Sequence, residues 1–404
     1  MSAAPAQDDA GPGGPQLTEE QAAALLINWE LAEQAAGRLA PPGPRLRASE
    51  AAEEVAALRR AASEAVGHVH RITGLAAAEG LGVDDTLVVD RRGWSRANAE
   101  SFRLLLGPAL KTAVERQPAL QKRLGRRGRD SQVLGSAVTG TELGGILAFL
   151  SSHVLGQFDP FTQNRLMLVA PNIVEVQREL NVVPEDFRLW VCLHEQTHRV
   201  QFAAAPWLAE HMRQKIAELS SSMMGQMDSL PERLADAARQ LKEELSGRRR
   251  APGDVPAEPV GSEEQEQAPE QAPSSVVRNR LVEAIQSPED RDRMSHLTAV
   301  MSLLEGHANV VMDAVDASVV PTVKTIRRRF EDRGRHRSVL ERWIRRVLQL
   351  DAKAQQYRDG QRFVGHIVDA EGMQRFNRIW EAPEHLPTEQ EIHDPDLWIA
   401  RVLG

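Results

Sequence analysis

The sequence predicts a mainly α-helical protein of the α+β class with one small β-sheet. Residues 48–72 form a long alanine-rich stretch, and residues 141–155 form an apolar stretch of small residues that is typical of a buried helix. The best strand candidate is Arg165–Val169, because this apolar run ends at an Ala-Pro-Asn turn signal. Long helical stretches beside one short strand favour helix as the main component of the fold.

Start and stop signals place further helices along the chain. Thr18, with Gln21 three residues later, predicts a capped helix that ends before the prolines at 41, 42 and 44. Asn172 and Glu175 predict a capping box for a short helix. The other predicted helices are a helix after Ser95, residues 109–125, 184–205, 207–245, 276–320 and 335–350, and a final helix after Asp396.

Composition and charge exclude several classes of protein. The 49 basic and 57 acidic residues give a net charge of −8, which argues against nucleic-acid binding. Cys192 is the single cysteine, so no disulfide can form within the chain and a reducing compartment is expected. The N-terminus does not read as a signal peptide, and the chain has no run of 18 apolar residues. We therefore expect a cytoplasmic protein with no membrane partner.

The stretch LWVCLHEQTHRVQF, residues 189–202, contains the pattern His-Glu-x-x-His. On a helix, His194 and His198 lie one turn apart on one face, so both imidazoles can reach one Zn²⁺ ion. Glu195 lies beside them and can act as the general base that takes a proton from zinc-bound water. The alternative interpretation is an ordinary helix with two surface histidines. The apolar flanks of the pattern favour the catalytic interpretation.

A catalytic zinc site needs a third protein ligand. The extended pattern with a glycine and a third histidine is excluded, because Gln201 and Ala204 occupy those positions. An apolar helical segment downstream supplies Glu305 as the candidate ligand. Asn309, one turn later, is the candidate partner that holds a ligating histidine by a hydrogen bond. His307 is the alternative ligand, although it points about 200° away from Glu305 around the helix.

Two further residues are weaker candidates. Tyr357 is the only tyrosine, and its hydroxyl could stabilise a transition state, although an ordinary half-buried phenol is the simpler interpretation. Asp313, two turns after Glu305, is the alternative to Asn309 as a partner of a ligating histidine.

Several segments, in order along the chain, resemble a known family: LMLVAPNIVEVQRELNVVPEDFRLWVCLHEQTHRVQF, LLEGHANVVMDAV, YRDGQRFV and NRIWEAPEHLPTEQEIHDPDLWI. The family is that of actinobacterial-type, zincin-like, zinc-dependent metalloproteases. It was formerly a domain of unknown function, and some members carry the label "coenzyme F420 biosynthesis-associated". The resemblance covers roughly residues 20–404 apart from an insertion at 248–275. It implies a zincin-like metallopeptidase core embedded in additional helices and one zinc ion per chain.

The resemblance also implies the roles of four residues. It supports His194 and His198 as zinc ligands, Glu195 as the base and Glu305 as the third ligand. It implies no particular substrate.

We predict three regions from these observations. Residues 1–17 are a disordered tail, residues 18–155 are a helical region packed on the core, and residues 156–404 are the zincin-like catalytic region. The acidic insertion at about 248–275 is rich in proline, glutamate and glutamine and has almost no large apolar residue, so it is predicted to be disordered.

The expected activity is hydrolysis of peptide bonds in a peptide or protein substrate. We expect residues 165–169 to be an edge strand that pairs with an extended substrate by strand addition. Two alternatives stay open. One is a zinc hydrolase that acts on a small-molecule amide or ester, and the other is a catalytically silent binding protein with a zincin fold.

Overall fold

The computed structural model describes residues 18–82, 86–116, 129–226, 287–335 and 350–404. The predicted tail at 1–17 and the predicted insertion at 248–275 lie outside the described residues. The same holds for these parts of the predicted helices: residues 117–125, 227–245, 276–286 and 336–349.

Three helices begin the described chain: α1 (Glu19–Leu26), α2 (Trp29–Leu39) and α3 (Ala48–Thr73). Thr18 and Gln21 form the predicted capping box of α1. The single helix predicted before the prolines is divided in two. The division arises because the Asn28 side chain accepts a hydrogen bond from the backbone N–H of Leu31 and caps a new helix. The alanine-rich helix predicted over 48–72 is confirmed as α3.

Three short strands form one mixed sheet: β1 (Thr86–Val89), β2 (Gly156–Asp159) and β3 (Arg165–Val169). The strand order is β1–β3–β2, with β1 parallel and β2 antiparallel to β3. The prediction that residues 165–169 form an edge strand is therefore wrong. Residues 166–169 are all fully buried, because the central strand is covered on both faces. Among the described residues, β2 is an edge of the sheet.

The sheet lies between two apolar cores. Met167 and Val169 of β3 belong to a smaller core with α1, α2 and two helices beside the sheet, α4 (Arg91–Arg116) and α5 (Arg129–Ser151). Leu168 points into the main core. Helices α1, α2, α4 and α5 thus pack on one side of the sheet, whereas α3 belongs to the main core. Strand β1 joins the sheet from the same N-terminal part of the chain. The predicted boundary at residue 155 stays a prediction.

The chain passes from β3 directly into α6 (Ala170–Leu180). The capping box predicted for Asn172 and Glu175 is wrong, because the helix already begins at Ala170. The Asn172 amide instead donates to the backbone carbonyls of Ser151 and Val154, and its oxygen accepts a hydrogen bond from a buried arginine, Arg91. Asn172 therefore ties α6 to the chain that leads into β2.

The helix with the His-Glu-x-x-His pattern is α7 (Pro184–Ala204), and it is followed by α8 (Leu208–Gln226). Its predicted bounds are confirmed, with Pro184 in the first turn and Pro206 just beyond its end. It packs on α3, where the Gln196 amide donates to the carbonyl of Ala62. Most of α7 is buried in the main core, which holds the helix on both sides of the pattern.

Three long helices follow: α9 (Pro288–Asp313), α10 (Val323–Arg335) and α11 (Leu350–Glu371). Helices α9 and α11 touch backbone to backbone. A Cβ on Gly306 of α9 would lie 2.2 Å from the carbonyl carbon of Gly360 of α11, and a Cβ on Gly360 would lie 1.9 Å from the carbonyl oxygen of Ser302. Only glycine allows this approach, so α11 supports the part of α9 that carries Glu305.

Short elements complete the chain: α12 (Met373–Phe376), 3-10 turns at Asn377–Trp380 and Pro383–His385, α13 (Glu389–His393), α14 (Pro395–Trp398) and a π-helical turn at Ile399–Leu403. The final predicted helix corresponds to α14 and this turn. In the described parts of the chain, no helix is long and apolar enough to cross a membrane. The predicted mainly α fold with a small sheet is confirmed.

Candidate metal centre

Three side chains from two helices converge at the main core. The Nε2 atoms of His194 and His198, one turn apart on α7, lie 3.2 Å from each other. The carboxylate oxygens of Glu305, on α9, lie 3.7 Å from His194 Nε2 and 3.8 Å from His198 Nε2. Within the described residues, these three form the one group of histidine, cysteine or acidic side chains whose spacing could hold a metal ion.

The spacing of these three donors suits zinc. A tetrahedral zinc ion with bonds of about 2.0–2.1 Å separates its donor atoms by about 3.3–3.4 Å. The distance of 3.2 Å between the two Nε2 atoms lies close to that value, and the distances of 3.7 Å to Oε2 and 3.8 Å to Oε1 of Glu305 are somewhat longer. With one donor atom from each residue, all three lie within 4.8 Å of one another. Burial, together with the nearby His198, lowers the pKa of His194 to about 4. His194 is therefore neutral at pH 7, the form in which imidazole binds a metal.

Glu195 is buried beside the donor group and lies against strand β2. A Cβ on Gly156 would lie 2.5 Å from Glu195 Cγ and 2.9 Å from its Oε1, so glycine is needed where the strand passes the carboxyl group. Burial, together with the negative charge of Glu305, raises the pKa of Glu195 to about 8. A carboxyl group with a pKa near neutrality can both take up and release a proton under ordinary conditions.

A buried amide holds one of the two histidines. His198 Nδ1 lies 3.0 Å from Oε1 of Gln201. The Gln201 nitrogen donates to the Leu304 carbonyl at 2.8 Å, which fixes the orientation of the amide, and it lies 2.9 Å from His307 Nδ1. Because an amide oxygen can only accept, His198 carries its proton on Nδ1 and directs the lone pair of Nε2 towards His194 and Glu305.

The structure does not place His307 among the donors. It is fully buried, with Nδ1 bonded to Gln201 and its ring between the rings of Phe376 and Trp380, at centroid distances of 5.4 and 5.3 Å. The alternative prediction of His307 as a ligand is therefore wrong, because its imidazole points away from the donor group into the core. The side chain of Tyr357 lies outside the described residues.

Asn309 does not make the hydrogen bond predicted for it. It lines a cavity next to His194 and Glu195, and among the described residues no hydrogen bond joins it to His194 or His198. The amide that holds His198 comes from Gln201 instead. Asp313, the other candidate, is bonded to Arg327 and Gln361.

Two cavities extend from the donor group in opposite directions along α7 and α9. Both are lined by Gly156, His194 and Glu195. The smaller, of about 320 Å³, runs towards Phe202 and Met301, and we call it the apolar cavity. The larger, of about 620 Å³, runs past Trp190 and Asn309 to Arg327, and we call it the polar cavity. The donor group thus lies within a cleft that continues on both sides.

Sequence reasoning missed three features of this site: Gln201, Gly156 and the role of β2. Gln201 lies one turn after His198 within an otherwise apolar stretch, so its position was a usable signal. Gly156 and β2 carried no such signal, because their place beside Glu195 results from the pairing of β2 with β3.

The comparisons with known proteins agree with this site. The family model for zincin-like metallopeptidases matches residues 27–399. No curated protein matches the chain at a significant level. A crystal structure from Chloroflexus aurantiacus, described provisionally as a hydrolase with a novel fold, has a TM-score of 0.58 to this chain and 28% sequence identity, and the match covers 93% of this chain and 98% of that one.

The family match and the donor group lead to the same conclusion. The match spans most of the chain, including His194, Glu195, His198 and Glu305. The actinobacterial type and the label that refers to coenzyme F420 stay predictions. The family implies a metal, and two imidazoles with one carboxylate are the donors that zinc prefers. This protein therefore belongs to the zincin-like metallopeptidase family.

Proposed function

We propose that this protein is a zinc-dependent peptidase that cleaves extended peptide chains. The observation that carries the proposal is the convergence of His194, His198 and Glu305 beside the buried carboxyl group of Glu195, at the edge of the sheet. Two histidines and a glutamate are a ligand set of catalytic zinc sites, whereas structural zinc sites are closed by four protein ligands.

The ligands and the base have separate tasks. His194, His198 and Glu305 would hold the ion. Bound zinc supplies a Lewis acid for the scissile carbonyl group and for the attacking water. Glu195, which lies beside these ligands, would accept a proton from the attacking water and deliver it to the nitrogen of the leaving amine.

Strand β2 offers the substrate a place to bind. One edge of β2 pairs with β3, and residues of β2 line both cavities next to Glu195. An extended peptide can add to such an edge through backbone hydrogen bonds. We expected residues 165–169 to pair with an extended substrate, and we now assign this pairing to residues 156–159.

Two features favour a peptidase over the alternatives. A cleft that continues on both sides of the donor group suits an extended chain better than a small amide or ester. A general base beside the ligands has a purpose in an enzyme but none in a silent binding protein. The expected partner is a peptide or protein in the cytoplasm.

The test compares the wild-type protein with Glu195→Gln after both are loaded with zinc. We expect about one zinc per chain in each, because the three ligands are unchanged. We expect the wild type to cleave a mixture of peptides, and the variant to be slower by about 10²–10⁴-fold, the usual contribution of a general base. Equal rates would remove Glu195 from the mechanism. A wild-type protein that takes up no zinc would contradict the proposal as a whole.

A further inference from the structure

Both cavities have apolar walls, which in the polar cavity include Trp190, Met312 and Phe330, but they differ in their charged residues. Beyond the donor group and Glu195, the walls of the apolar cavity come mainly from six apolar side chains: Phe158, Phe161, Phe202, Met212, Met301 and Leu304. The polar cavity contains Arg327, which is paired with Asp313 at 2.9 Å. A charged pair thus lies on one side of the site. On the other side, the described lining of the apolar cavity has no charged side chain beyond the donor group and Glu195.

The direction of β2 predicts which end of a bound peptide would lie in each cavity. Gly156 lies beside Glu195, and the chain then runs through Phe158 into the wall of the apolar cavity. Residues 153–155, which precede Gly156, line the polar cavity. A peptide antiparallel to β2 would therefore place its amino-terminal part along the apolar cavity and its carboxyl-terminal part along the polar one.

We propose that the apolar cavity is a specificity subsite for a large apolar side chain on the amino-terminal side of the scissile bond. This inference rests on the proposed peptidase function and names its substrate class. A volume of about 320 Å³ can take one large side chain. Burial of a phenylalanine or leucine side chain there should favour such substrates by about 10- to 100-fold over polar ones.

The test uses two kinds of ligand and a matched pair of variants. Zinc-loaded protein is given quenched peptides with phenylalanine or aspartate just before the cleaved bond. It is also given N-acetylphenylalanine and N-acetylaspartate hydroxamates, which bind without turnover. Met301→Glu places a charge at the rim of the cavity. Met294→Glu is the control, because Met294 lies on the same helix with the same 39% exposure but away from the cavity.

We expect the wild type and Met294→Glu to prefer phenylalanine by about 10- to 100-fold in kcat/KM and in hydroxamate affinity. We expect Met301→Glu to lose most of this preference. Cleavage without any preference, or the same preference in Met301→Glu, would overturn the subsite. A preference for phenylalanine after the cleaved bond would overturn the antiparallel assignment. Hydroxamate selectivity without any peptide cleavage would support the subsite and contradict the peptidase function.

A different observation, the hydrogen bonds of Gln201, carries a second inference. Gln201 is fully buried and is bonded to His198, to the Leu304 carbonyl and to His307. We infer that Gln201 is a positioning residue that sets the tautomer and orientation of His198 for metal binding. Its link to Leu304 also couples α7 to the turn of α9 next to Glu305.

The matched control for this inference lies on the same helix. Gln196 is also fully buried, and its amide also donates to a backbone carbonyl, that of Ala62, away from the donor group. We expect Gln201→Leu to lower zinc affinity by about 10- to 100-fold, the usual effect of losing a partner of a ligating histidine. We expect Gln196→Leu to leave zinc affinity unchanged, although both variants lose one buried amide.

A spectroscopic measurement distinguishes a positioning role of Gln201 from a general contribution of Gln201 to the stability of the fold. The side-chain ¹⁵N chemical shifts of His198 show which ring nitrogen carries the proton. We expect a single Nδ1–H form in the wild type and in Gln196→Leu, and a mixture of tautomers in Gln201→Leu. An unchanged His198 tautomer and unchanged zinc affinity in Gln201→Leu would overturn the inference.

Discussion

The two helices that supply the proposed metal ligands reach the site by different means. Helix α7 carries His194, Glu195 and His198 within five consecutive positions, so the period of the helix alone brings them together. Helix α9 supplies Glu305, and nothing local directs that carboxylate to the histidines. Its position depends on the close crossing of Gly306 with α11 and on the hydrogen bond from Gln201 of α7 to the Leu304 carbonyl of α9.

This difference shows which parts of the site depend on packing. The local pair of histidines persists wherever α7 is helical, whereas the third donor is lost if α9 rotates or shifts relative to α7. Variants that disturb α9 should therefore affect metal binding through the fold, and variants on α7 should affect it directly.

Removal of the third donor should have the largest effect on zinc. We expect Glu305→Ala to weaken zinc binding by more than the roughly 10- to 100-fold that loss of a supporting hydrogen bond costs. His307→Ala, two residues away on α9, should retain about one zinc per chain, because His307 faces the core. Elemental analysis measures the zinc content of both variants, and a competition titration measures their zinc affinity. Loss of zinc only in His307→Ala would reverse the assignment of the ligand on α9.

Disruption of the contact between β2 and α7 should have the next largest effect. In Gly156→Ala the added methyl group would meet the Glu195 side chain, so we expect β2 or the carboxyl group to shift. A displacement of about 1 Å at a catalytic group can cost about 10²-fold in rate. Gly145→Ala, where a Cβ meets nothing within 4 Å, is the control. Zinc content should be the same in both variants. A full rate of peptide cleavage in Gly156→Ala would show that the strand adapts easily.

The crossing of α9 and α11 can be tested with two substitutions of the same kind on α11. We expect Gly360→Ala to lower the free energy of unfolding by about 1–3 kcal/mol, because its Cβ would overlap the Ser302 carbonyl. Gly365→Ala, with open space around the added Cβ, should raise it by up to about 1 kcal/mol. Urea unfolding measures both. Similar effects in the two variants would mean that the close crossing does not position α9.

The last expected effect concerns pH. Burial lowers the pKa of His307 to about 3, and the nearby His198 contributes to this. The unfolded chain, with an ordinary pKa of about 6.5, then binds a proton that the folded protein does not. Stability from this group is complete above about pH 6.5 and falls as the pH drops towards 3, by up to about 1.4 kcal/mol per pH unit.

We therefore expect wild-type protein in a chelator to lose stability between pH 6.5 and 4 more steeply than His307→Leu does. Urea unfolding at several pH values measures the two slopes. Equal slopes would show that His307 is not a buried neutral imidazole.

Local signals predicted much of this protein correctly. The capping box at Thr18, the alanine-rich helix α3 and both ends of α7 follow from residues close in sequence. The site residues His194, His198 and Glu305 were also named from the pattern and from one apolar helix, and the structure brings them together.

Long-range pairing explains what the sequence did not predict. The four apolar residues of β3 were interpreted as an edge strand, although an apolar run without alternation is typical of a strand covered on both faces. Asn172 resembled a helix cap, but its amide donates hydrogen bonds to the carbonyl groups of Ser151 and Val154, which are distant in sequence. Gln201 received no role, because its partners on α9 are more than one hundred residues away.

The division of the donor group between α7 and α9 has a further consequence. His198 and Glu305 are more than one hundred residues apart in sequence, so an ion held by both acts as a cross-link that closes a very long loop. Cross-links of that span restrict the unfolded chain by several kcal/mol, about 4.7 kcal/mol for a loop of 100 residues in the chain-entropy model. Zinc would thus stabilise the folded protein in addition to its role in the reaction. Removal of zinc would loosen the same two helices that hold it.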